Sequence, residues 1–161
     1  MTKVALLTAV RDALRSGIAE TGTRAWCTVQ DAQGDQFIPV TAQPPFLTVA
    51  DGGWELAPLA SEMANVVARV RIRAHVQNFR DFEAPVIGHT VPGTPPVTAS
   101  GAAGLQDAIA DLLQDNALGI AGMESALVES LPAVGSVQDD KDFFAIVGDV
   151  VMRYTFERSD A

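Results

Sequence analysis

The sequence predicts an α+β protein in which two main helices pack on one side of a mixed or antiparallel β-sheet. Three observations support this class. An amphipathic helix opens the chain, a long segment at 65–79 alternates apolar and polar residues, and an apolar strand at 141–157 closes it. The chain of 161 residues is long enough to bury one core, so we expect a single domain over 1–161.

The first helix is predicted over Lys3–Ser16, with Thr2 as its N-cap and Gly17 at its end. Apolar residues recur at steps of three and four, as in a helix with one buried face. They are Val4, Leu7, Val10, Leu14 and Ile18. Charged residues interrupt this segment, which therefore indicates an amphipathic helix and not a signal peptide.

Short extended segments follow the first helix. The stretch "TRAWCTVQD" (23–31) has the aromatic and β-branched residues of a strand, and "DAQGD" (31–35) closes it with a turn. "QFIPV" (36–40) and "PPFLTVA" (44–50) contain or abut proline, which favours edge strands or strand starts. We interpret Cys27, the single cysteine, as a small buried side chain; it cannot form an intramolecular disulfide.

A predicted turn precedes the longest strand. "DGGWE" (51–55) is interpreted as a glycine turn, and "ELAPLASEMA" (55–64) as a loop or a short helical turn. A strand then runs from about Asn65 to Phe79, with side chains alternating between two faces. The face predicted to be buried carries Val66, Ala68, Val70, Ile72, Ala74 and Val76. The opposite face carries Val67, Arg69, Arg71, Arg73, His75 and Gln77.

The segment 84–100 holds too many prolines and glycines for a regular element, and predicts either a long hairpin arm or a mobile loop. A second helix follows over "GLQDAIADLLQDN" (104–116). Its predicted buried stripe is Leu105, Ala108, Ile109 and Leu112. Another of its faces carries Asp107, Asp111 and Asp115.

The last part of the chain predicts strands. "SALVESLPAVGSV" (125–137) has the pattern of a strand and a turn. "KDFFAIVGDVVMRYTFE" (141–157) is apolar on both faces, which is typical of a strand in the centre of a sheet.

The charge balance restricts the partners. Twenty acidic residues against eleven basic ones give a net charge of −9, which argues against broad affinity for nucleic acid or anionic membranes. No apolar run approaches the roughly 20 residues needed to cross a bilayer, so we expect no membrane association. Synthesis in a cytoplasm fits both observations.

Motifs that carry chemistry are sparse. His75 and His89 do not stand in a metal-binding spacing, and neither a nucleophile-elbow motif nor a phosphate-binding lysine loop is present. The aspartates of the second helix lack the loop and glycine turn of a calcium site. We therefore expect no catalytic residues, no cofactor and no metal, and a protein that is not an enzyme.

The arginine-bearing strand face has two interpretations. Its arginine stems could cover apolar neighbours while the charged ends lie in water, or the face could contact an acidic partner. That partner would be nucleic acid or the carboxylates of a neighbouring copy, in a head-to-tail contact that closes into a ring. The candidate residues for a subunit interface or a lumen are Arg69, Arg71, Arg73, His75, Asp107, Asp111 and Asp115.

In the order and sequence character of these segments, the chain resembles the tail terminator (tail completion) proteins of long-tailed bacteriophages. The resemblance covers most of the chain. Its segments are "LLTAVRDALRSGI", "PPFLTVADGG", "VARVRIRAHVQNF", "GLQDAIADLLQDN", "LGIAGMESALVESLPA" and "FFAIVGDVVMRYTFE". The 84–100 segment is long for this family.

The resemblance implies a structural virion protein without catalytic residues, assembled in the host cytoplasm. Such proteins form a ring, commonly hexameric, that caps the tail tube and joins the tail to the neck. The implied partners are further copies of the chain, the tail tube protein, the neck connector (stopper) protein and, in contractile tails, the sheath protein. DNA passes through the lumen without specific binding.

Three alternatives remain open at this stage: a head–tail connector or stopper of the neck, a bacterial binding domain unrelated to phage, and an enzyme. Within the ring interpretation, we favour placing the arginines at a subunit interface. A strongly basic lumen would hold DNA through its phosphates and hinder its passage.

Overall fold

A computed structural model describes residues 1–38, 42–60, 63–77, 83–138 and 144–159. The helices within these ranges are α1 (Lys3–Gly17), α2 (Ala84–Ile87) and α3 (Ala102–Leu113). The strands are β1 (Ala25–Thr28), β2 (Phe46–Ala60), β3 (Met63–Gln77), β4 (His89–Val91), β5 (Val97–Ala99), β6 (Met123–Ser130), β7 (Gly135–Gln138) and β8 (Phe144–Ser159).

One six-stranded sheet organises the fold, and the predicted α+β class is confirmed. Its strand order is β1-β2-β3-β8-β6, with β7 also paired to β8. Only β1 and β2 run parallel; the other pairs are antiparallel. The closing strand β8 is central, as its apolar sequence predicts. Strands β4 and β5 form a separate hairpin.

Helix α1 forms where the apolar spacing predicts it. The Thr2 side chain accepts a hydrogen bond from the Ala5 backbone N–H at 3.1 Å, which caps the helix. Leu6, Val10 and Leu14 are fully buried against the sheet, whereas Val4, predicted to be buried, is 74% exposed. The buried face of the helix is the one that carries Leu6, Val10 and Leu14, and Val4 lies outside it and points to solvent.

Strand β2 corrects two predictions. The stretches expected as a glycine turn (51–55) and as a loop (55–64) lie mostly within one long hairpin formed by β2 and β3. The pairing register shifts between Asp51 and Trp54, so the two glycines form a bulge and not a chain reversal. Gly53 has φ +98°, a conformation that glycine adopts without strain. The prolines of "PPFLTVA" precede β2, consistent with a strand start.

Strand β3 buries the predicted aliphatic face. It begins at Met63, earlier than the predicted Asn65, while Phe79 lies outside the described residues. All six residues predicted for the buried face are 5% exposed or less. They pack with side chains of α1 and α3 in one core.

Residues 84–113 form two helices with a hairpin between them. The 84–100 segment, expected to hold too many prolines and glycines for a regular element, contains α2 and a short β4–β5 hairpin with three residues in each strand. Helix α3 ends at Leu113, before the predicted end at 116. Its buried apolar side chains in the core are Ala102, Leu105, Ile109 and Leu113, whereas Ala108 and Leu112, predicted to be buried, are only partly buried. Within the described residues, no helix is long and apolar enough to span a membrane.

Candidate functional site

One side of the sheet is covered by α1 and α3. The other side, here called the open face, carries no helix among the described residues, and the part of it around Arg73 and His75 is buried. The cross-strand register places Arg69, Arg71 and Arg73 together on this side, as the period of two predicts. Asp149 and Arg153 of β8 lie opposite Arg73 and Arg69. Charged side chains also reach the open face from β2, β6 and the loop after β1, and they are Glu55, Glu129 and Asp35.

Arg69 lies between two carboxylates of its own chain. Its Nη1 donates to Glu55 Oε1 at 2.7 Å, and its Nε donates to Glu129 Oε2 at 2.9 Å. The hydrogen bonds to Glu55 and then Glu129 raise the pKa of Arg69 above its ordinary value. These contacts connect β2 and β6 across the two strands between them. Arg69 is thereby paired with two carboxylates of its own chain.

Arg73 is buried, contrary to the expectation of a surface position. Its side chain makes two parallel hydrogen bonds to Asp149, from Nε at 2.7 Å and from Nη2 at 2.9 Å. Asp35 adds a weaker contact, 3.5 Å from Nη1. Hydrogen bonding to Asp149 raises the pKa of Arg73, against the opposing effect of burial. The residue is 7% exposed because the 29–38 loop reaches over it.

The 29–38 loop is itself ordered by hydrogen bonds. Asp31 Oδ1 accepts from the backbone N–H groups of Gln33 and Asp35, both at 2.9 Å, which shapes the tip of the loop. Gln30 and Gln36 form a β-bridge, and Gln36 is only 6% exposed. Sequence reasoning treated this stretch as a turn and an edge strand, and missed its contact with β3.

His75 is a core residue and does not belong to a surface site. It is fully buried, and its ring stacks on Phe46 with centroids 4.3 Å apart. Its Nε2 lies 3.0 Å from Thr48 Oγ1. Burial, and then the charge of Arg73, lower the pKa of His75 to about 3, so the imidazole is neutral at physiological pH. A neutral ring closed off from solvent cannot contact a partner.

Two arginines of the open face remain available to solvent. Arg71 is exposed and forms no ion pair with any described residue. The same is true of Arg153, which stands opposite Arg69 on β8. Sequence reasoning missed Arg153, since β8 was interpreted as apolar on both faces. The signal was the alternation of Asp149, Val151 and Arg153 on one side of the strand.

The three aspartates predicted on one helix face are separated by the structure. Asp107 and Asp111 are exposed on α3, one turn apart. Asp115 lies beyond the end of the helix, with φ +58°, and its backbone N–H donates to Ala126 O at 2.8 Å. The acidic surface of α3 therefore consists of Asp107 and Asp111, on the opposite side of the molecule from the open face.

Both edges of the sheet are partly closed by the chain itself. At β6, Gln114 Oε1 accepts from the Val128 N–H at 2.8 Å, beside the hydrogen bond made by Ala126 O. At β1, Arg15 Nε donates to Ala25 O at 2.9 Å. Such contacts occupy backbone groups that could otherwise pair with a strand of another chain.

Cys27 is exposed, so its prediction as a buried side chain is wrong. Its sulfur lies 3.6 Å from Leu7 O of α1, and this partial desolvation raises the pKa of the thiol. His89 begins β4 and lines a small cavity with Glu20 and Pro45. Among the described residues, no group of three or more His, Cys, Asp and Glu side chains could hold a metal ion.

No protein-family model matches the chain, and a search among curated proteins finds no significant match. Inference about function therefore depends on the fold and on its two charged surfaces, the open face and the acidic side of α3. Exposed charges of both signs lie on the open face: Arg71 and Arg153 together with Asp35, Glu55, Glu129 and Glu157. On the outer side of α3 the exposed charges are Asp107 and Asp111.

Proposed function

We propose that the chain is a structural protein of a long-tailed phage, which forms a ring, caps the tail tube and joins the tail to the neck. The ring is hexameric in this proposal and has no enzymatic activity. Its partners are other copies of the chain, the tail tube protein and the neck stopper protein, with the sheath protein as a further partner in a contractile tail.

The observation that carries the proposal is a sheet covered by helices on one side only. This arrangement leaves two unlike surfaces on opposite sides of the subunit, the open face and the acidic side of α3. Unlike surfaces suit head-to-tail contacts, which close into a ring when the rotation between copies allows it. An α+β sheet with its two main helices on one side is also the fold that the resemblance to tail terminators implies.

The β4–β5 hairpin supplies a surface for contact with another subunit or with the tube. Residues 92–98 at its end are all exposed. Its base is held by the Glu20 carboxylate, which accepts from the Ser100 backbone N–H at 2.8 Å. An anchored hairpin can make a defined contact because it loses little conformational entropy on binding.

The net charge of −9 supports a role as a DNA conduit. An acidic ring repels the phosphate backbone, so DNA passes without the strong, sequence-independent binding that clustered lysines and arginines produce. The internal pairing of Arg69 and Arg73 supports this role further, because carboxylates of the same chain neutralise both cations and Arg73 is buried.

The test is growth of tail tubes in the presence of the chain. Tail tube protein from the same phage is polymerised with and without the purified chain, and tube lengths are measured by negative-stain electron microscopy. A terminator arrests elongation and is found at one tube end by gold labelling. Unchanged tube growth, with the label only at the portal vertex of capsids, would identify a neck stopper instead.

A further inference from the structure

We infer that the tip of the β4–β5 hairpin of one copy binds an apolar groove beside the start of α1 in the next copy. This inference rests on the proposed ring and specifies the contact that closes it. The groove lies between α1 and β2, has a volume of about 370 Å³, and is here called the α1–β2 groove. It is lined by Met1, Thr2, Lys3, Trp54 and Leu56.

The α1–β2 groove exposes apolar surface that the chain itself leaves uncovered. Leu56 is 59% exposed, and Val4, the residue after Lys3, is 74% exposed. The Trp54 indole packs edge-on against Phe156, with ring centroids 5.2 Å apart, but it is only partly buried. Tryptophan is among the residues that most often dominate the binding energy of an interface. A partner that covers this indole and Leu56 would bury both from water.

The charge at the α1–β2 groove is already paired within the chain. Lys3 Nζ donates to Asp51 Oδ2 at 2.7 Å, and it lies 5.8 Å from the centroid of the Trp54 ring. Glu55 is on the other side of β2, where it pairs with Arg69. A charged partner would lose hydration in this groove without gaining an unpaired counter-charge. The groove therefore suits an uncharged, apolar segment.

The hairpin has the chemistry that the groove requires. Residues 84–106 contain no Asp, Glu, Lys or Arg, and no other run of the chain without these residues is as long. Its tip, residues 92–98, is exposed and includes Pro92, Pro95 and Pro96, and Val97 is 65% exposed. Proline loses no side-chain rotamer freedom on burial, and proline-rich segments bind grooves lined by aromatic side chains. In a chain of net charge −9, this tip approaches another copy without bringing like charges together.

The hairpin and the groove lie at opposite ends of the subunit. Glu20, just after α1, holds the base of the hairpin at Ser100, whereas the groove lies at the first residues of α1. Along β3, Val76 lines the cavity at the hairpin base and Val66 pairs with Leu56 of the groove. At about 3.3 Å per residue, the hairpin base and the groove are about 33 Å apart. Hairpin strands of three residues reach only about 10 Å, so the hairpin cannot fill the groove of its own chain.

Two sites at opposite ends of a subunit produce a head-to-tail contact. Each copy places its hairpin in the groove of one neighbour and receives the hairpin of the other. Such contacts close into a ring when the rotation between copies allows it. The anchored base of the hairpin fixes the direction of its tip, and thereby that rotation.

The experiment places a carboxylate in each half of the contact, Leu56→Glu in the groove and Val97→Glu on the hairpin. Circular dichroism establishes that each variant is folded, and Leu56→Ser replaces Leu56→Glu if the latter is not. Size-exclusion chromatography with light scattering then gives the oligomeric state, alone and with tail tubes. We expect each variant to lose the ring, with at least about a tenfold weaker association, because the contact buries an unpaired charge or loses apolar area.

Leu127→Glu is the matched control. Leu127 is also an exposed leucine on a strand, 41% exposed, but it lies on β6 at the far edge of the sheet from β2. This variant adds the same charge to the chain outside the contact, and should keep the ring.

Mixing the two variants is the decisive step. A Val97→Glu copy retains an intact groove and a Leu56→Glu copy retains an intact hairpin, so one contact can form between them. The mixture should give a heterodimer and no ring, at concentrations where each variant alone is monomeric.

A mixture that stays monomeric, or a variant that keeps the ring by itself, would show that this contact is wrong while the proposed function stands. A Leu56→Glu ring that no longer arrests tube growth would assign the groove to the tail tube protein and overturn the inference in that way. A wild-type chain that stays monomeric even on tubes overturns both the ring and the contact.

Discussion

At the scale of single residues, the open face is ordered by two arginines that are each shared between carboxylates. Arg69 joins Glu55 and Glu129, and Arg73 joins Asp149 with a weaker contact to Asp35. These partners come from strands and a loop that are far apart in sequence, so the contacts fix the relative positions of several elements. Among the described arginines of the open face, Arg71 and Arg153 remain exposed and without an ion pair.

Replacing Arg73 by Met should destabilise the protein by about 3 kcal/mol, because the Asp149 carboxylate loses its bidentate partner in a largely buried position. Arg71→Met is the matched control on the same strand. Its side chain is exposed without an ion pair, so its effect should stay within about 0.5 kcal/mol. Urea unfolding followed by circular dichroism measures both, and equal losses would contradict the assigned role of Arg73.

His75 should make stability depend on pH below neutrality. The unfolded chain binds a proton at this residue near pH 6.5, whereas the folded chain binds it only near pH 3. Unfolding therefore takes up a proton between these values, and stability falls as pH is lowered through this window. Between pH 7.5 and 5 the loss due to His75 should be about 2 kcal/mol.

His75→Gln provides the comparison, because glutamine keeps a polar atom near Thr48 but does not titrate. Denaturant unfolding of both proteins at several pH values measures the slope. The variant should lack the part of the slope that wild type shows between pH 7.5 and 5. Parallel stability curves for the two proteins would refute a buried, neutral imidazole.

At the scale of elements, the junction between α2 and the start of α3 depends on backbone contact at glycine. A Cβ on Gly101 would lie 2.3 Å from the backbone of Val86, which leaves no room for a side chain. A Cβ on Gly104, one turn along, would meet only Ser100 Cβ at 3.5 Å, an ordinary contact. The two glycines therefore differ in role although they lie in the same short segment.

Gly101→Ala should destabilise the protein by about 2 kcal/mol, since the backbone must shift to admit the methyl group. Gly104→Ala should instead stabilise it by about 0.5–1 kcal/mol, because alanine favours the helix. Thermal unfolding of the two variants gives changes of opposite sign. A stabilising Gly101→Ala would show that α2 is not packed against the start of α3 as described.

Elements with a clear period were predictable from sequence, whereas the elements at 51–64 were not. The alternation around Val70 identified β3 and its buried face, and the step of three and four identified α1. Gly52 and Gly53 were interpreted as a chain reversal because paired glycines usually mark turns. In the structure, pairing of β2 with β3 places the two glycines in a β-bulge. The local sequence does not distinguish such a bulge from a turn.

The candidate site was predictable only in part. A period of two was enough to place Arg69, Arg71 and Arg73 on one face. It could not reveal which carboxylates reach them, since Glu129 and Asp149 come from strands far along the chain. Burial of His75 depends on Phe46 and Thr48 of another strand, so the alternating pattern alone placed it wrongly on the surface.

At the scale of the whole molecule, the ring we propose has to combine net repulsion between acidic copies with local attraction. A net charge of −9 keeps free copies apart, so a contact between copies in that ring depends on local charge pairs and apolar contacts. Local pairs at such a contact set orientation more than affinity. Ring formation that occurs only on the tail tube is consistent with this balance of repulsion and attraction, because the tube concentrates the subunits.

The most direct measurement of the proposed function is electron cryo-microscopy of tail tubes incubated with the wild-type chain. We expect one closed ring at a single end of each tube, coaxial with it and with an open lumen wide enough for DNA. Density for the chain along the tube wall, or no density at either end with excess chain present, would contradict the proposal that this protein terminates the tail.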